Sequence, residues 1–204
     1  MDYKNAVAPY LSNAKIEREA DLFREKFWGY NVPVDIEYII DIKLKIGIIP
    51  IPGFLKSNNI DALILSNWES IYVDREEYLD ERRHNRLRFS LAHEIGHFVL
   101  HKTLYNNLNI KSLEDYYKLN KDILQKQYGY LEAQANKFAN YLLVPRKILL
   151  VEMEKELKKK GNPIWFKKVD EKTLNSYCAI PLSKVFKVFD GVVAIALNDI
   201  NNKI

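Results

Sequence analysis

The segment from Asn85 to Lys102 places the strongest constraint on the fold of this chain. Its apolar residues recur at helical spacing: Leu87, Leu91, Ile95, Phe98 and Val99. This spacing predicts an amphipathic helix whose apolar stripe packs against a core. Three of the four histidines in the chain lie on the same segment. The helix is therefore also the first place to look for chemistry.

Within that helix, His93, Glu94 and His97 form an H-E-x-x-H motif. Residues i and i+4 of a helix lie one turn apart on the same face, so both imidazoles can reach one metal ion. Glu94 projects about 100° round the helix from His93, beside the metal and outside its ligand set, as a general base requires. The motif predicts a zinc site with His93 and His97 as ligands and Glu94 as the catalytic base.

His101 extends the row of histidines by one further turn. At 1.5 Å of rise per residue it lies about 12 Å along the axis from His93, too far to share a metal ion with it. A site made by His97 and His101 would have Phe98 where the base belongs, so it could bind metal without the chemistry. We interpret His101 as a packing residue or a support for the ligands.

Catalytic zinc usually has three protein ligands, so one more is required. Three downstream acids are candidates: Glu114, Asp115 and Glu132. Glu132 lies on a predicted helix from about Tyr130 to Leu143, and its neighbours on the same face are small: Ala135, Asn136 and Ala139. Small residues allow this helix to approach the motif helix, which favours Glu132 as the third ligand. A solvent-exposed Glu132 is the alternative.

The rest of the chain predicts helices packed on a small three-stranded sheet, an α+β fold. Helices are expected at residues 14–29, after a cap at Asp35, and near residues 174–189, with a polar segment at residues 103–121. Strands are expected at residues 46–51, 61–66, 69–74 and 192–197. The strand at 69–74 could pair with an extended substrate or simply complete the sheet.

Composition limits the compartment and the partners. The single cysteine, Cys178, excludes an intrachain disulfide and a cysteine-rich zinc cluster. No stretch approaches the roughly 20 apolar residues of a membrane span, and residues 1–13 lack the apolar core of a signal peptide. The net charge of +4 is a mild excess, typical of solvated lysine-rich faces. We expect a cytoplasmic protein without membrane or direct nucleic-acid binding.

Two separated stretches resemble the ImmA/IrrE metallopeptidases: RLRFSLAHEIGHFVLH at residues 86–101 and EAQANKFANYLLVP at residues 132–145. The similarity extends upstream to about residue 14, through PVDIE at residues 33–37. It implies a zincin-like fold of the mini-gluzincin type, with Zn2+ held by His93, His97 and Glu132 and with Glu94 as base. The implied organisation is an N-terminal extension at 1–13, a metallopeptidase domain at 14–145 and a C-terminal helical extension at 146–204.

Members of that family typically cleave helix-turn-helix transcriptional repressors, so the resemblance implies such a protein as substrate. Only about 13 residues precede the first predicted helix, so we expect a peptidase without a DNA-binding domain of its own. The alternative is a non-hydrolytic, zinc-binding regulatory protein that acts by binding a partner. An intact Glu94 argues against that alternative, because a structural metal site has no use for a base.

Overall fold

The computed structural model describes residues 3–54, 56, 60–159 and 169–201. The strands are β1 Gly47–Ile51, β2 Ala62–Ile64 and β3 Ser70–Asp74. The helices are α1 Asn13–Phe27, α2 Ile36–Tyr38 continued by a π-helical turn Ile39–Lys43, α3 Arg75–Leu79, α4 His84–Leu100, α5 Lys102–Leu108, α6 Leu113–Asp122, α7 Gln125–Leu143, α8 Arg146–Lys159, α9 Glu171–Phe186 and α10 Asp190–Asn201. Parts of the two predicted extensions, residues 1–2, 160–168 and 202–204, lie outside the described residues.

The three strands form one mixed sheet in the order β1-β3-β2. β1 runs parallel to β3, with Gly47 opposite Ser70, and β2 runs antiparallel to β3, with Ala62 opposite Val73. The expected α+β fold with a three-stranded sheet is confirmed. Of the two alternatives for residues 69–74, the structure agrees with the second: β3 is central, has neighbours on both sides and completes the sheet. Among the described residues no strand pairs with the outer edge of β2, and β2 lies against α4.

Polar caps set where many of these helices begin. Five side chains accept a hydrogen bond from a backbone amide of the first helical turn: Ser12, Asp35, Asp74, Ser112 and Asp170. Each such bond satisfies an amide that has no partner inside the helix. The polar segment at residues 103–121 forms the two short helices α5 and α6, and the Ser112 cap starts the second of them.

The C-terminal element is a helix, and the prediction of a strand at residues 192–197 is wrong. Val193, Ala196 and Leu197 are buried while Ile195 is 64% exposed, which is the pattern of one helical face. An alternating strand would have buried Ile195 together with Val193 and Leu197. α10 contacts α9, α8 and α7, so tertiary packing outweighs the strand propensity of a short apolar run.

One hydrophobic core joins the motif helix to the C-terminal helices. Leu91 and Ile95 of α4 belong to the same buried cluster as Phe138 of α7, Phe186 of α9 and Val193 of α10. Helices after Pro145 therefore share the core of the predicted metallopeptidase domain. No helix in the described ranges combines the length and the apolarity needed to cross a membrane.

Helices α4 and α7 approach each other closely at Gly96. A Cβ added there would lie 3.0 Å from the Cα of Ala135 and 3.1 Å from its carbonyl oxygen. These are backbone atoms, so they cannot move without moving the helix. Gly96, which costs about 1 kcal/mol relative to alanine inside a helix, is therefore explained by the close approach of α7.

Gly96→Ala should lower the free energy of unfolding by about 1–3 kcal/mol, because the added methyl group separates two packed helices. The matched control is Gly129→Ala in α7, where nothing lies within 4 Å of the added Cβ. That change should raise the free energy of unfolding by up to about 1 kcal/mol through helix propensity alone. Urea denaturation of both variants measures the difference, and a Gly96→Ala protein as stable as the wild type would contradict the packing argument.

Candidate metal centre

Helices α4 and α7 bring together the three residues that the sequence suggests as metal ligands. The Nε2 atoms of His93 and His97 lie 3.0 Å apart. Glu132 places one carboxylate oxygen 3.3 Å from Nε2 of His93 and the other 3.5 Å from Nε2 of His97. One ligand atom from each residue falls within a cluster no wider than 4.8 Å. The two helices thus converge on a single point.

The two separations that involve Glu132 match those expected around a tetrahedral metal ion, and the 3.0 Å between the imidazole nitrogens is slightly shorter. With bonds of roughly 2.0–2.2 Å, two atoms bound to one tetrahedral zinc lie about 3.3–3.6 Å apart. Two imidazoles and one carboxylate are also a donor set found in catalytic zinc sites, where the fourth position stays open. The three side chains can therefore hold a zinc ion without rearrangement of the helices that carry them.

The electrostatics of the cluster favour a positive charge beside Glu132. Burial opposes the charged form of His93, but its hydrogen bond to Glu132 and the charge of Glu94 outweigh burial and raise the His93 pKa to about 9. Burial also opposes the charged form of Glu132, yet hydrogen bonds to His93 and His97 lower the pKa of that carboxyl. In the metal-free protein, a proton on His93 supplies the positive charge beside Glu132. A bound metal cation would supply the same positive charge.

Glu94 lies beside the three ligands and is buried with a partner from the sheet. Its Oε2 accepts a hydrogen bond of 2.8 Å from the backbone amide of Ile64 in β2. Burial raises the pKa of Glu94 to about 7, although the charge of His93 and the Ile64 amide act in the opposite direction. A carboxylate with a pKa near neutrality can both take up and release a proton at physiological pH.

The second nitrogen of each histidine ligand also has a defined partner. Nδ1 of His93 lies 2.9 Å from Oδ1 of Asn136, a residue that the sequence analysis noted only for its small size. Nδ1 of His97 lies 3.0 Å from Nδ1 of His101 and 3.0 Å from the hydroxyl of Tyr105. His101 is buried, and burial followed by the charge of His97 lowers its pKa to about 3. His101 therefore contacts His97 but does not belong to the group of candidate ligands.

The other candidate residues lie apart from this cluster. Glu114 forms an ion pair with Lys118 on the surface, at 2.8 Å. Asp115 accepts a hydrogen bond from the Ser112 hydroxyl at the start of α6. His84, at the start of α4, lies 3.3 Å from Glu37. Of the acids proposed as third ligand, the structure brings only Glu132 to the two histidines.

The ligand cluster opens into a cleft of about 300 Å³. Three tyrosines line it beside Glu94 and the ligands: Tyr105, Tyr116 and Tyr128. The hydroxyls of Tyr116 and Tyr128 lie 2.9 Å apart, and burial raises the Tyr116 pKa to about 12 and that of Tyr128 further. The sequence analysis missed Tyr105 and Tyr116, because nothing in the spacing of residues 102–122 indicated two helices folded over the motif.

Comparison with known proteins agrees with this arrangement. The family model Peptidase_M78, described as IrrE N-terminal-like domain, matches residues 78–198. The match contains α4 and α7 with all four site residues, and it continues through α8–α10, where the motifs showed no resemblance. No curated protein matches the chain. Because the family model covers more than half of the chain, this protein belongs to the ImmA/IrrE family of metallopeptidases.

Proposed function

We propose that this protein is an intracellular zinc-dependent endopeptidase that hydrolyses a peptide bond in a helix-turn-helix transcriptional repressor. One observation carries the proposal: two histidines and a glutamate converge on one point of a cleft, and a buried glutamate, Glu94, lies beside them with its carboxylate accepting a hydrogen bond from the Ile64 amide. A structural metal site needs the ligands alone. The additional base and the open cleft support hydrolysis.

His93, His97 and Glu132 would hold the zinc ion. Zinc bound there would polarise the scissile carbonyl and lower the pKa of a water molecule at the open position towards about 7. Glu94 would take the proton from the attacking water molecule as the water oxygen forms its bond to the carbonyl carbon. Glu94 then gives the proton to the amine as the carbon–nitrogen bond breaks.

Tyr128 is a candidate donor for the negative charge that develops on the carbonyl oxygen. Its hydroxyl lies 2.9 Å from the Tyr116 hydroxyl, and it lines the cleft together with Glu132. Its pKa is raised by burial and by the charge of Glu132, which keeps the hydroxyl protonated and able to donate.

The outer edge of β2 is the surface along which an extended substrate would lie. Asp61, Ala62 and Leu63 line the cleft, and β3 occupies the opposite edge of this strand. Backbone groups on a free strand edge bind an extended peptide through main-chain hydrogen bonds. A folded protein reaches such an edge only through a flexible or locally unfolded segment, which an exposed linker in a repressor provides.

The first prediction concerns the metal. The protein should bind about one zinc per chain, and His97→Ala should abolish this binding. Glu132→Ala should weaken it by more than the roughly 10–100-fold that loss of a supporting hydrogen bond costs, because a direct ligand is removed. Glu114→Ala is the control, since Glu114 pairs with Lys118 far from the cluster. Elemental analysis showing wild-type zinc in His97→Ala would refute the site.

The second prediction separates a peptidase from a non-hydrolytic regulator. Glu94→Gln should retain zinc and the hydrogen bond from Ile64, because glutamine keeps an acceptor oxygen, but it cannot take a proton from water. Cleavage should fall by at least about 100-fold. Turnover is measured on protein of verified zinc content. An unchanged rate would end the proposed mechanism and leave the regulator as the better explanation.

The third prediction concerns selectivity. Zinc-loaded protein should cut the helix-turn-helix repressor encoded beside its gene at one or a few sites and leave casein intact. The short edge of β2 accepts only an extended segment, so the folded parts of the repressor should survive. Mass spectrometry of the products locates the cut, with Glu94→Gln as the inactive control. General digestion of casein, or an intact repressor, would count against the proposed substrate.

A further inference from the structure

We propose that an apolar groove between α4, α7 and α10 is a subsite for a large apolar side chain of the substrate, close to the scissile peptide bond. The inference rests on the proposed function and deepens it. The groove has a volume of about 710 Å³, and its lining includes Phe89, Asn136, Phe189, Val192 and Ile195. Phe89 and Asn136 also line the cleft of the candidate metal centre. The groove is therefore continuous with that cleft.

Apolar side chains dominate the lining of the groove and leave part of their surface exposed. Phe189 is 46% exposed and Ile195 is 64% exposed. Phe89 and Val192 are half-buried. Apolar surface that lies together in a concave site gains free energy when another apolar group covers it. The groove therefore favours an aliphatic or aromatic side chain over a polar one.

The charged residues at the groove are paired within the protein. Nζ of Lys137 donates a hydrogen bond of 2.6 Å to Oδ1 of Asn13. The carboxylate of Asp199 accepts a hydrogen bond of 2.7 Å from the Tyr141 hydroxyl and forms an ion pair with Arg146. Both charges thus have partners before any ligand binds. The selectivity of the groove comes from its apolar surface.

Hydrogen bonds to α7 hold both ends of α10 beside the groove. The side-chain amide of Asn140 donates to the carbonyl oxygen of Val192 at 2.9 Å, near the first turn of α10. The contact between Tyr141 and Asp199 fixes the last turn. Val193, on the inner face of the same helix, is buried in the core. The wall of the groove is therefore formed in the free protein, which lowers the cost of binding.

The direction of β2 leads an extended peptide from the candidate ligands to the groove. Asp61, directly before β2, pairs with Arg86 near the start of α4 at 2.8 Å. The amide of Ile64, at the end of β2, donates to Glu94 two turns further along α4. β2 and α4 therefore run in the same direction. A peptide on the outer edge of β2 that passes the ligands towards Asp61 reaches Phe89 next.

The distance from the ligands to the groove limits which substrate residue can occupy it. Phe89 and Asn136 lie four residues from His93 and Glu132 on their helices, and Asn140 lies eight residues from Glu132. At about 1.5 Å of rise per residue, the groove extends from roughly 6 to 12 Å along the helices. An extended peptide covers about 3.3 Å per residue. The occupant is therefore a side chain about two to four residues from the scissile bond.

The test measures peptide binding to metal-free protein by methyl NMR. The probes are the blocked pentapeptide acetyl-Ala-Ala-Leu-Ala-Ala-amide and the same peptide with asparagine, which is neutral and similar in shape, in place of leucine. The leucine peptide should shift the methyl signals of Val192 and Ile195 and bind about 10–100-fold more tightly, because burial of a leucine side chain is worth about that factor. Equal affinities, or unchanged signals at both residues, would overturn the proposal.

Ile195→Asp places a charge in the groove and should lower the affinity for the leucine peptide at least about 10-fold. Ile195→Leu keeps an apolar side chain and should bind like the wild type. The matched control is Ile180→Asp on α9, the same change at a side chain that is 58% exposed and outside the groove lining. It should also bind like the wild type. Equal losses at positions 180 and 195 would overturn the proposal.

Cleavage by zinc-loaded protein separates the groove from the peptidase assignment. Ile195→Asp should raise the KM for the repressor at least about 10-fold and leave kcat near the wild-type value, because the lost contact binds substrate and transition state alike. Leucine-selective binding without any cleavage would reject the proposed function alone. Cleavage without leucine-selective binding would reject the groove alone. Methyl shifts that depend on protein concentration without peptide would assign the groove to a second copy of the chain and overturn the proposal.

Discussion

The direct contact between α4 and α7 at Gly96 and Ala135 is the constraint on which the site depends. Two of the candidate ligands come from one helix and the third from the other, so their spacing is set by how closely the helices pack. A side chain at position 96 would push the helices apart, because backbone atoms of Ala135 occupy the space. The glycine inside the motif is thus a geometric requirement of the cluster.

Around this contact, the protein places a polar network inside a largely apolar interior. His93, His97 and Glu94 each have a polar partner in the described part of the chain: Asn136 for His93, His101 for His97 and the Ile64 amide for Glu94. Buried polar groups without partners would be costly, and partners with fixed direction keep side chains in one orientation. The same burial that requires these partners raises the pKa of Glu94 into the range where acid–base chemistry operates.

Much of the fold and of the candidate site could be predicted from the sequence, and the predictions that were wrong or missing have physical causes. The motif helix, the close approach of Glu132 and the paired strands follow from periodicity and residue size, which are local properties. Val192–Leu197 was misread because a short apolar run fits both a strand and a buried helix face, and only packing decides between them. Strand order and the tyrosines at positions 105 and 116 depend on long-range topology, which spacing along the chain does not encode.

The chain between the two ligand helices has a separate consequence. Residues 101–124 include α5 and α6 and supply Tyr105 and Tyr116 to the wall of the cleft, while the three candidate ligands lie on α4 and α7. Tyr105 contacts His97, whereas Tyr116 contacts Tyr128. A substitution at Tyr116 would therefore change the wall of the cleft without removing a contact to a candidate ligand on the motif helix.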